Sequence, residues 1–115
     1  MKRATHQPET VSVSIYAGIY YKVWRVRDAG SVIPQHAHAH DHLTALLQGA
    51  VRVWCNDALV GDLLAPATIK IAAGDKHAFG TLKPDTVLAC IHNADHLDAD
   101  DEPAVSELHT LDLED

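Results

Sequence analysis

The chain has few cysteines and no long apolar run, and these two shortages exclude several classes of protein. Its 115 residues contain two cysteines, Cys55 and Cys90, which lie far apart and lack CxxC spacing. We therefore expect reduced thiols in a core, not a disulfide framework. No apolar stretch approaches the roughly 20 residues that a membrane-spanning helix needs. No apolar stretch follows the basic residues of Met1–Thr5 either, so we predict no signal peptide and a cytoplasmic protein.

Positive charge is also scarce. The chain has 9 Lys and Arg against 16 Asp and Glu, for a formal net charge of -7. It has no basic patch, which argues against nucleic-acid binding. Residues 10–96 hold seven acids and seven bases, whereas residues 97–115 hold eight acids and neither Lys nor Arg. We predict a leader at 1–9, one folded domain at 10–96 and an acidic, solvated C-terminal tail at 97–115.

Short runs rich in β-branched and aromatic residues fill the central domain, and turn residues separate them. This spacing predicts an all-β sandwich or barrel. The predicted strands are Thr10–Ile15, Ile19–Arg27, Ser31–Ile33, Leu43–Gln48, Val51–Cys55, Ala58–Val60, Thr68–Ile71 and Thr86–His92. The predicted turns are at 28–30, 48–49, 56–57, 61–62, 73–75 and 83–85. Only residues 103–113 have the period of a short amphipathic helix. A barrel this small leaves apolar edges and faces exposed, so we expect a homodimer.

Four histidines alternate with other residues in the segment 36–42, namely His36, His38, His40 and His42. On an extended strand these side chains would share one face but spread over about 20 Å, too far to reach one ion together. Two neighbours can chelate from one strand, and a third ligand must follow a turn. We therefore expect a bend near residues 39–41, with His42 at the start of the next strand. Histidine is a common ligand of Zn, Fe, Ni and Cu, so a metal site is favoured over a His-rich surface tract.

The spacing around these histidines resembles the first motif of the cupin superfamily. That motif has Gly, five residues, His-x-His, three or four residues, Glu, six residues and Gly. The chain matches every fixed position from Gly30 to Gly49, except that His42 replaces the Glu. Residues 66–81 partly match the second motif, with Gly74 and His77 in place. The departures there are Pro66 for Gly, Ala72 for Pro and Thr81 for Asn.

The resemblance implies a single-domain double-stranded β-helix, or jelly-roll, barrel with a metal ion inside its open end. Carried over by position, the metal ligands are His36, His38, His42 and His77. An all-imidazole set leaves the ion with its full +2 charge, because no carboxylate offsets it. Nitrogen ligands suit Fe, Zn, Ni or Cu and disfavour Mg and Ca. A chelator, or a pH of about 5, should release the ion because imidazole must be neutral to bind.

Several other residues are candidates for the second shell or the pocket wall. His40 falls in the predicted turn, where it is either exposed or beside a ligand. Asp41 either orients a ligand imidazole or faces solvent. Phe79 is two residues after His77 and would share its face of a strand. Thr44 and Leu46 would share a face with His42 in the same way. Cys90 and His92 share one face of the last strand, and His92 is either a polar group in the cavity or a half-exposed strand end.

The chain has no readable Ser-His-Asp or Cys-His constellation and no Gly-rich phosphate loop. The resemblance therefore carries the functional expectation. It implies a metal-dependent enzyme, dioxygenase-like, that acts on a small chelating metabolite. The alternatives are a non-redox isomerase or lyase, and a module that binds a metal and a small ligand without turnover.

Overall fold

The computed structural model describes residues 6–34, 37, 39–96 and 109–110. These residues form an all-β structure, as predicted. The strands are β1 Glu9–Tyr16, β2 Ile19–Val26, β3 Ser31–Pro34, β4 His42–Gln48, β5 Ala50–Cys55, β6 Ala58–Leu64, β7 Ala67–Ile71, β8 His77–Thr81, β9 Thr86–Asn93 and β10 His109–Thr110, and a 3-10 turn spans Ala94–His96. In the described part of the chain, no helix is long and apolar enough to cross a membrane.

The strands form two five-stranded sheets. One sheet has the order β1-β2-β9-β4-β7 and the other has the order β10-β3-β8-β5-β6. Neighbouring strands are antiparallel within both sheets. Most successive strands cross from one sheet to the other, as the chain of a jelly roll does. The predicted double-stranded β-helix architecture is therefore confirmed.

The core lies between the two sheets and is built from alternate residues of each strand. Trp24, Leu46 and Leu88 come from the first sheet and are at most 1% exposed. Val51 and Phe79 come from the second sheet, are equally buried and belong to the same apolar cluster. Each such side chain contributes roughly 1.5–3 kcal/mol through its removal from water. The predicted inward parity of Leu46 and Phe79 is confirmed.

Two local expectations about strands and turns are wrong. The sequence analysis missed β8, because its five residues include Gly80 and Ala78 and carry little strand signal. The predicted turn at Gly61-Asp62 lies inside β6 instead. A register shift opposite Val53 and Trp54 places Gly61 at a bulge with a φ of 149°, a conformation that glycine adopts readily. The chain then continues in β6.

The two ends of the chain also differ from expectation where they are described. Glu9 was assigned to the leader but begins β1. The predicted helix at 103–113 is wrong at its two described residues, because His109 and Thr110 form β10 and pair with Val32 and Ser31. The other residues of that helix lie outside the described part of the chain, as does most of the predicted acidic tail.

Thr81 holds the start of β3 to the end of β8 through its buried hydroxyl group. Its Oγ1 accepts a hydrogen bond from the Ser31 backbone N–H at 3.0 Å and donates one to the Asp28 carbonyl at 2.7 Å. Thr81→Val keeps the shape but leaves the buried N–H of Ser31 without this acceptor. We expect the free energy of unfolding to fall by about 1–3 kcal/mol, measured by urea denaturation. Thr81→Ser keeps the hydroxyl and should lose clearly less, and equal losses would contradict this role.

Candidate metal site and pocket

The ends of several strands meet at one end of the barrel. β4 begins at His42 and runs antiparallel to β9, which ends just after His92. β2 begins at Ile19 and is also antiparallel to β9, so its first residues lie at the same end. A pocket of about 570 Å³ opens here. It is lined by Ile19, Asp41, His42, Leu43, Lys70, Ile71, Ala72, Asp75, His77, Ile91 and His92. Topology therefore brings three imidazoles to one cavity from three different strands.

His42 and His77 are the two predicted ligands that the structure describes. Both line the pocket, and each is 7% exposed. The expectation of a bend near residues 39–41, with His42 at the start of the next strand, is confirmed, since residues 39 and 40 form a bend and β4 starts at His42. Thr44 and Leu46 follow on the same inward face and are fully buried. His42 is thus the inward-facing residue of β4 that lies nearest the open end of the barrel.

His77 has the electrostatic environment of a nitrogen donor. Its Nδ1 is buried and has no hydrogen-bond partner among the described residues. Burial lowers the pKa of His77, and the nearby Asp75 carboxylate opposes this only in part. The ring is therefore neutral at pH 7, which is the form that binds a metal ion. A buried ring nitrogen without a hydrogen-bond partner, on a residue that lines a cavity, fits a metal ligand better than a structural hydrogen-bonding role.

His36 and His38 lie outside the described residues, so their assignment as ligands stays a prediction. Among the residues that are described, no three His, Cys, Asp or Glu side chains converge as a metal-binding group. A complete site would thus need donors from the segment that contains His36 and His38. The described part supplies His42 and His77, and two imidazoles suit Fe, Zn, Ni or Cu.

A second group of rings borders the predicted ligands. His40 is 9% exposed and His92 is 8% exposed, so the exposed alternative for His40 and the half-exposed alternative for His92 are both wrong. Their ring centroids are 4.9 Å apart, and the His40 ring lies 6.2 Å from that of His42. Tyr20 stacks on His92, with the two ring centroids 4.7 Å apart. In the sequence, the inward position of His92 was indicated by its alternation with the apolar Leu88 along the same strand.

Hydrogen bonding selects the tautomer of His92. Its Nδ1 lies 2.7 Å from the Asn93 carbonyl oxygen, which can only accept, so Nδ1 carries the proton. Nε2 is buried, and in a neutral ring with Nδ1 protonated it carries the lone pair. In that form His92 can accept a hydrogen bond through Nε2. Lys22, which is 4% exposed on the same inner face, was missed although it alternates with Tyr20 and Trp24.

Phe79 and Cys90 are not part of the pocket wall. Phe79 is fully buried in the apolar core. Cys90 is a reduced, partly buried thiol that packs against the same core. Their inward parity was correct, but they lie deeper in the barrel than the open end. Cys55 is also a free thiol, as expected.

Asp41 faces solvent, which was one of the two sequence alternatives, and it also holds a neighbouring loop. Its side chain is exposed, and its Oδ1 accepts a hydrogen bond from the Ala73 backbone N–H at 2.7 Å. This bond ties the loop 72–76, which leads into His77, to the start of β4. Asp41 therefore holds, through a backbone N–H, the loop from which β8 and the predicted ligand His77 begin.

Removal of this tie should weaken metal binding without emptying the site. We expect Asp41→Ala to lower metal affinity by up to about 10-fold, because a charge-assisted hydrogen bond contributes about 1.5 kcal/mol and this one is exposed to solvent. Asp41→Asn keeps an acceptor oxygen and should bind nearly as well as the wild type. Isothermal titration with Zn²⁺ or Co²⁺ measures both, and equal losses in the two variants would show that the negative charge matters instead.

Comparison with known proteins shows which folds the chain resembles. No protein-family model and no curated protein sequence matches the chain. Among solved structures, a cupin superfamily protein from Desulfitobacterium hafniense superposes with a TM-score of 0.63 at 18% identity, over 81% of this chain and 83% of that one. KdgF from Halomonas sp. gives 0.61 at 21% identity, over 79% and 84%. The cobalt(II) form of HppE in complex with Tris buffer gives 0.61 at 14% identity, over 73% and 52%.

These neighbours define a class: a double-stranded β-helix barrel with an open end. The chain has the cupin fold, and it is a small barrel with a single cupin domain in the described residues. The resemblance carried by the two sequence motifs is thereby confirmed for the fold.

Proposed function

We propose that the chain binds one divalent transition-metal ion through His36, His38, His42 and His77. The observation that carries the proposal is the placement of His42 and His77, both buried, on the wall of one cavity at the open end of the barrel. They are 35 positions apart in the sequence, and each occupies the position that a cupin ligand motif predicts. HppE, which shares the barrel fold over 52% of its chain, has been solved in a cobalt(II) form, and this supports the proposal.

The pocket suggests the kind of molecule that would bind beside the ion. Ile19, Ile71 and Ile91 give it apolar walls, and Lys70 supplies a cation. A bound ion with imidazole ligands alone would act as a strong Lewis acid toward an oxygen chelator. We therefore propose a dioxygenase-like enzyme whose substrate is a small metabolite with an anionic or enolisable oxygen group. In that role His42 and His77 hold the ion, and the isoleucines limit the access of water.

The experiment begins with elemental analysis of protein purified without a tag. We expect close to one equivalent of Fe, Zn, Ni or Cu per chain. Oxygen uptake is then measured for Fe-loaded protein with diketones, flavonols or thiols. Uptake that depends on the substrate supports a dioxygenase, whereas no uptake with any metal form contradicts it. Protein that neither contains nor binds a transition metal would overturn the metal site itself.

Non-redox metal chemistry is an alternative that the same imidazole set permits. A Zn or Ni form acting as an isomerase or lyase would convert a substrate without consuming oxygen. Product analysis by NMR with the metal found in the protein separates this activity from a dioxygenase.

One observation favours a module that binds without turnover. Both carboxylates that line the pocket are engaged in holding loops: Asp41 accepts a hydrogen bond from Ala73 N, and Asp75 accepts one from Asn56 Nδ2 at 3.2 Å. Neither is placed as an evident general base. A binding module predicts that ligands raise the melting temperature of the metal-loaded protein and that no product forms.

A further inference from the structure

A polar row crosses the inner face of the first sheet, directly beneath the histidines of the open end. Lys22 on β2 pairs with Cys90 on β9, and Cys90 pairs with Thr44 on β4. Alternate residues of a strand share a face, so this row lies about 7 Å along the strands from the one in which Tyr20 pairs with His92.

The next row along the same three strands belongs to the apolar core. It contains Trp24, Leu88 and Leu46, and each of these side chains is at most 1% exposed. Cys90 is only partly buried, although it alternates with Leu88 on the inner face. Solvent therefore reaches the polar row from the open end and stops at the core. The polar row is the floor of the space beneath the histidines.

Lys22 places a cation on this floor, where water is largely excluded. It is 4% exposed, and no Asp or Glu among the described residues is buried. The buried charge in this part of the barrel is therefore positive. An ammonium group attracts an anion more strongly here than it would in bulk water, because the local dielectric constant is lower.

Thr44 supplies an unused hydroxyl group in the same row. It is fully buried, and its Oγ1 has no hydrogen-bond partner among the described residues. The two other buried threonines of the described chain, Thr81 and Thr86, both donate hydrogen bonds to backbone carbonyls. A buried hydroxyl group without a partner is unfavourable, so the position of Thr44 calls for an atom that the chain itself does not supply.

We propose that Lys22 and Thr44 bind one carboxylate group of the ligand. An ammonium and a hydroxyl group both donate hydrogen bonds and a carboxylate accepts them, so the three groups are complementary. The inference rests on the proposed function for the other end of the ligand, which chelates the ion held by His42 and His77. The substrate class is then a short aliphatic acid, with a carboxylate at one end and a chelating oxygen group at the other.

The test is isothermal titration of the metal-loaded protein with succinate and with succinamate, in which an uncharged amide replaces one carboxylate. The wild type should bind succinate at least about 10-fold more tightly, because only a second carboxylate pairs with the Lys22 ammonium. Lys22→Met keeps most of the apolar stem and removes the charge. In this variant the two probes should bind almost equally.

Two other lysine variants show whether the effect belongs to Lys22. Lys83 is exposed in the turn between β8 and β9 and does not line the pocket, so Lys83→Met is the matched control and should bind both probes as the wild type does. Lys70→Met removes the exposed lysine of the pocket wall. Loss of the preference for succinate in Lys70→Met instead of Lys22→Met would overturn the proposal, and so would a wild type without that preference.

Thr44→Val provides a second measurement if Lys22→Met fails to fold. Because the Thr44 hydroxyl has no partner to lose, the free energy of unfolding of the ligand-free protein should not fall. Succinate affinity should fall by about 5-fold, as expected for the loss of one hydrogen bond. A loss of stability with unchanged affinity would assign Thr44 a structural role only and overturn the proposal.

The metal content of every variant separates this inference from the proposed function. A wild type that holds the ion but does not distinguish the two probes contradicts only the carboxylate site. A protein that binds no metal, yet prefers succinate through Lys22, contradicts only the metal site.

Discussion

Replacement of His77 by alanine should abolish metal binding. His77 brings a buried imidazole from β8, in the second sheet, to the cavity that His42 borders from the first sheet. Loss of an outer-shell partner typically lowers metal affinity 10- to 100-fold, so loss of a ligand should cost more than about 100-fold. Elemental analysis of the purified variant and titration with Co²⁺, followed by its visible absorption, measure the loss.

Two histidine variants serve as controls for His77→Ala. His6→Ala removes an exposed imidazole that pairs with Asp28 and does not line the pocket, so it should bind metal as the wild type does. His40→Ala removes a buried ring that is not among the four predicted ligands, so it should retain the ion with reduced affinity at most. If His40→Ala alone empties the site, the register assigned to the segment 36–42 is wrong. If His77→Ala keeps a full equivalent of metal, the proposed ligand set is wrong.

Replacement of Gly49 by alanine should strongly destabilise the fold. Gly49 has a φ of +89°, a conformation that costs a residue with a Cβ about 1–3 kcal/mol. A Cβ at this position would also collide with Thr86 Oγ1 and lie 3.0 Å from the Thr86 Cα. Thr86 cannot easily move, because its hydroxyl donates a hydrogen bond to the Lys83 carbonyl at 2.9 Å. We expect a loss of about 2–5 kcal/mol in the free energy of unfolding.

Gly74→Ala is the matched control for Gly49→Ala. Gly74 has a similar φ of +84°, but a Cβ there would meet nothing within 4 Å. Gly74→Ala should lower the free energy of unfolding only by the cost of its backbone conformation, about 1–3 kcal/mol. Thermal or urea unfolding of both variants measures the difference, which isolates the steric conflict with Thr86. Equal losses would show that the backbone conformation alone requires glycine at both positions.

The sequence predicted most strands because alternation and β-branched residues report directly on a half-buried sheet. It also predicted the turn before His42, because geometry forbids four alternating histidines on one strand from reaching one ion. It missed β8, where strand propensity is weak and pairing with β3 and β5 supplies the order. The bulge at Gly61 was misread as a turn, because glycine marks both and only the partner strand distinguishes them.

By itself, the sequence determined the all-β class and the position of His42 at a strand start. These properties follow from local spacing and backbone conformation. The tertiary structure decided which distant groups share the open end: His77 with His42, His92 with Tyr20, and His40 buried beside them. It also decided that Asp41 holds the loop before His77. Such contacts depend on the crossing of strands between two sheets, and no local pattern in the chain encodes that pairing.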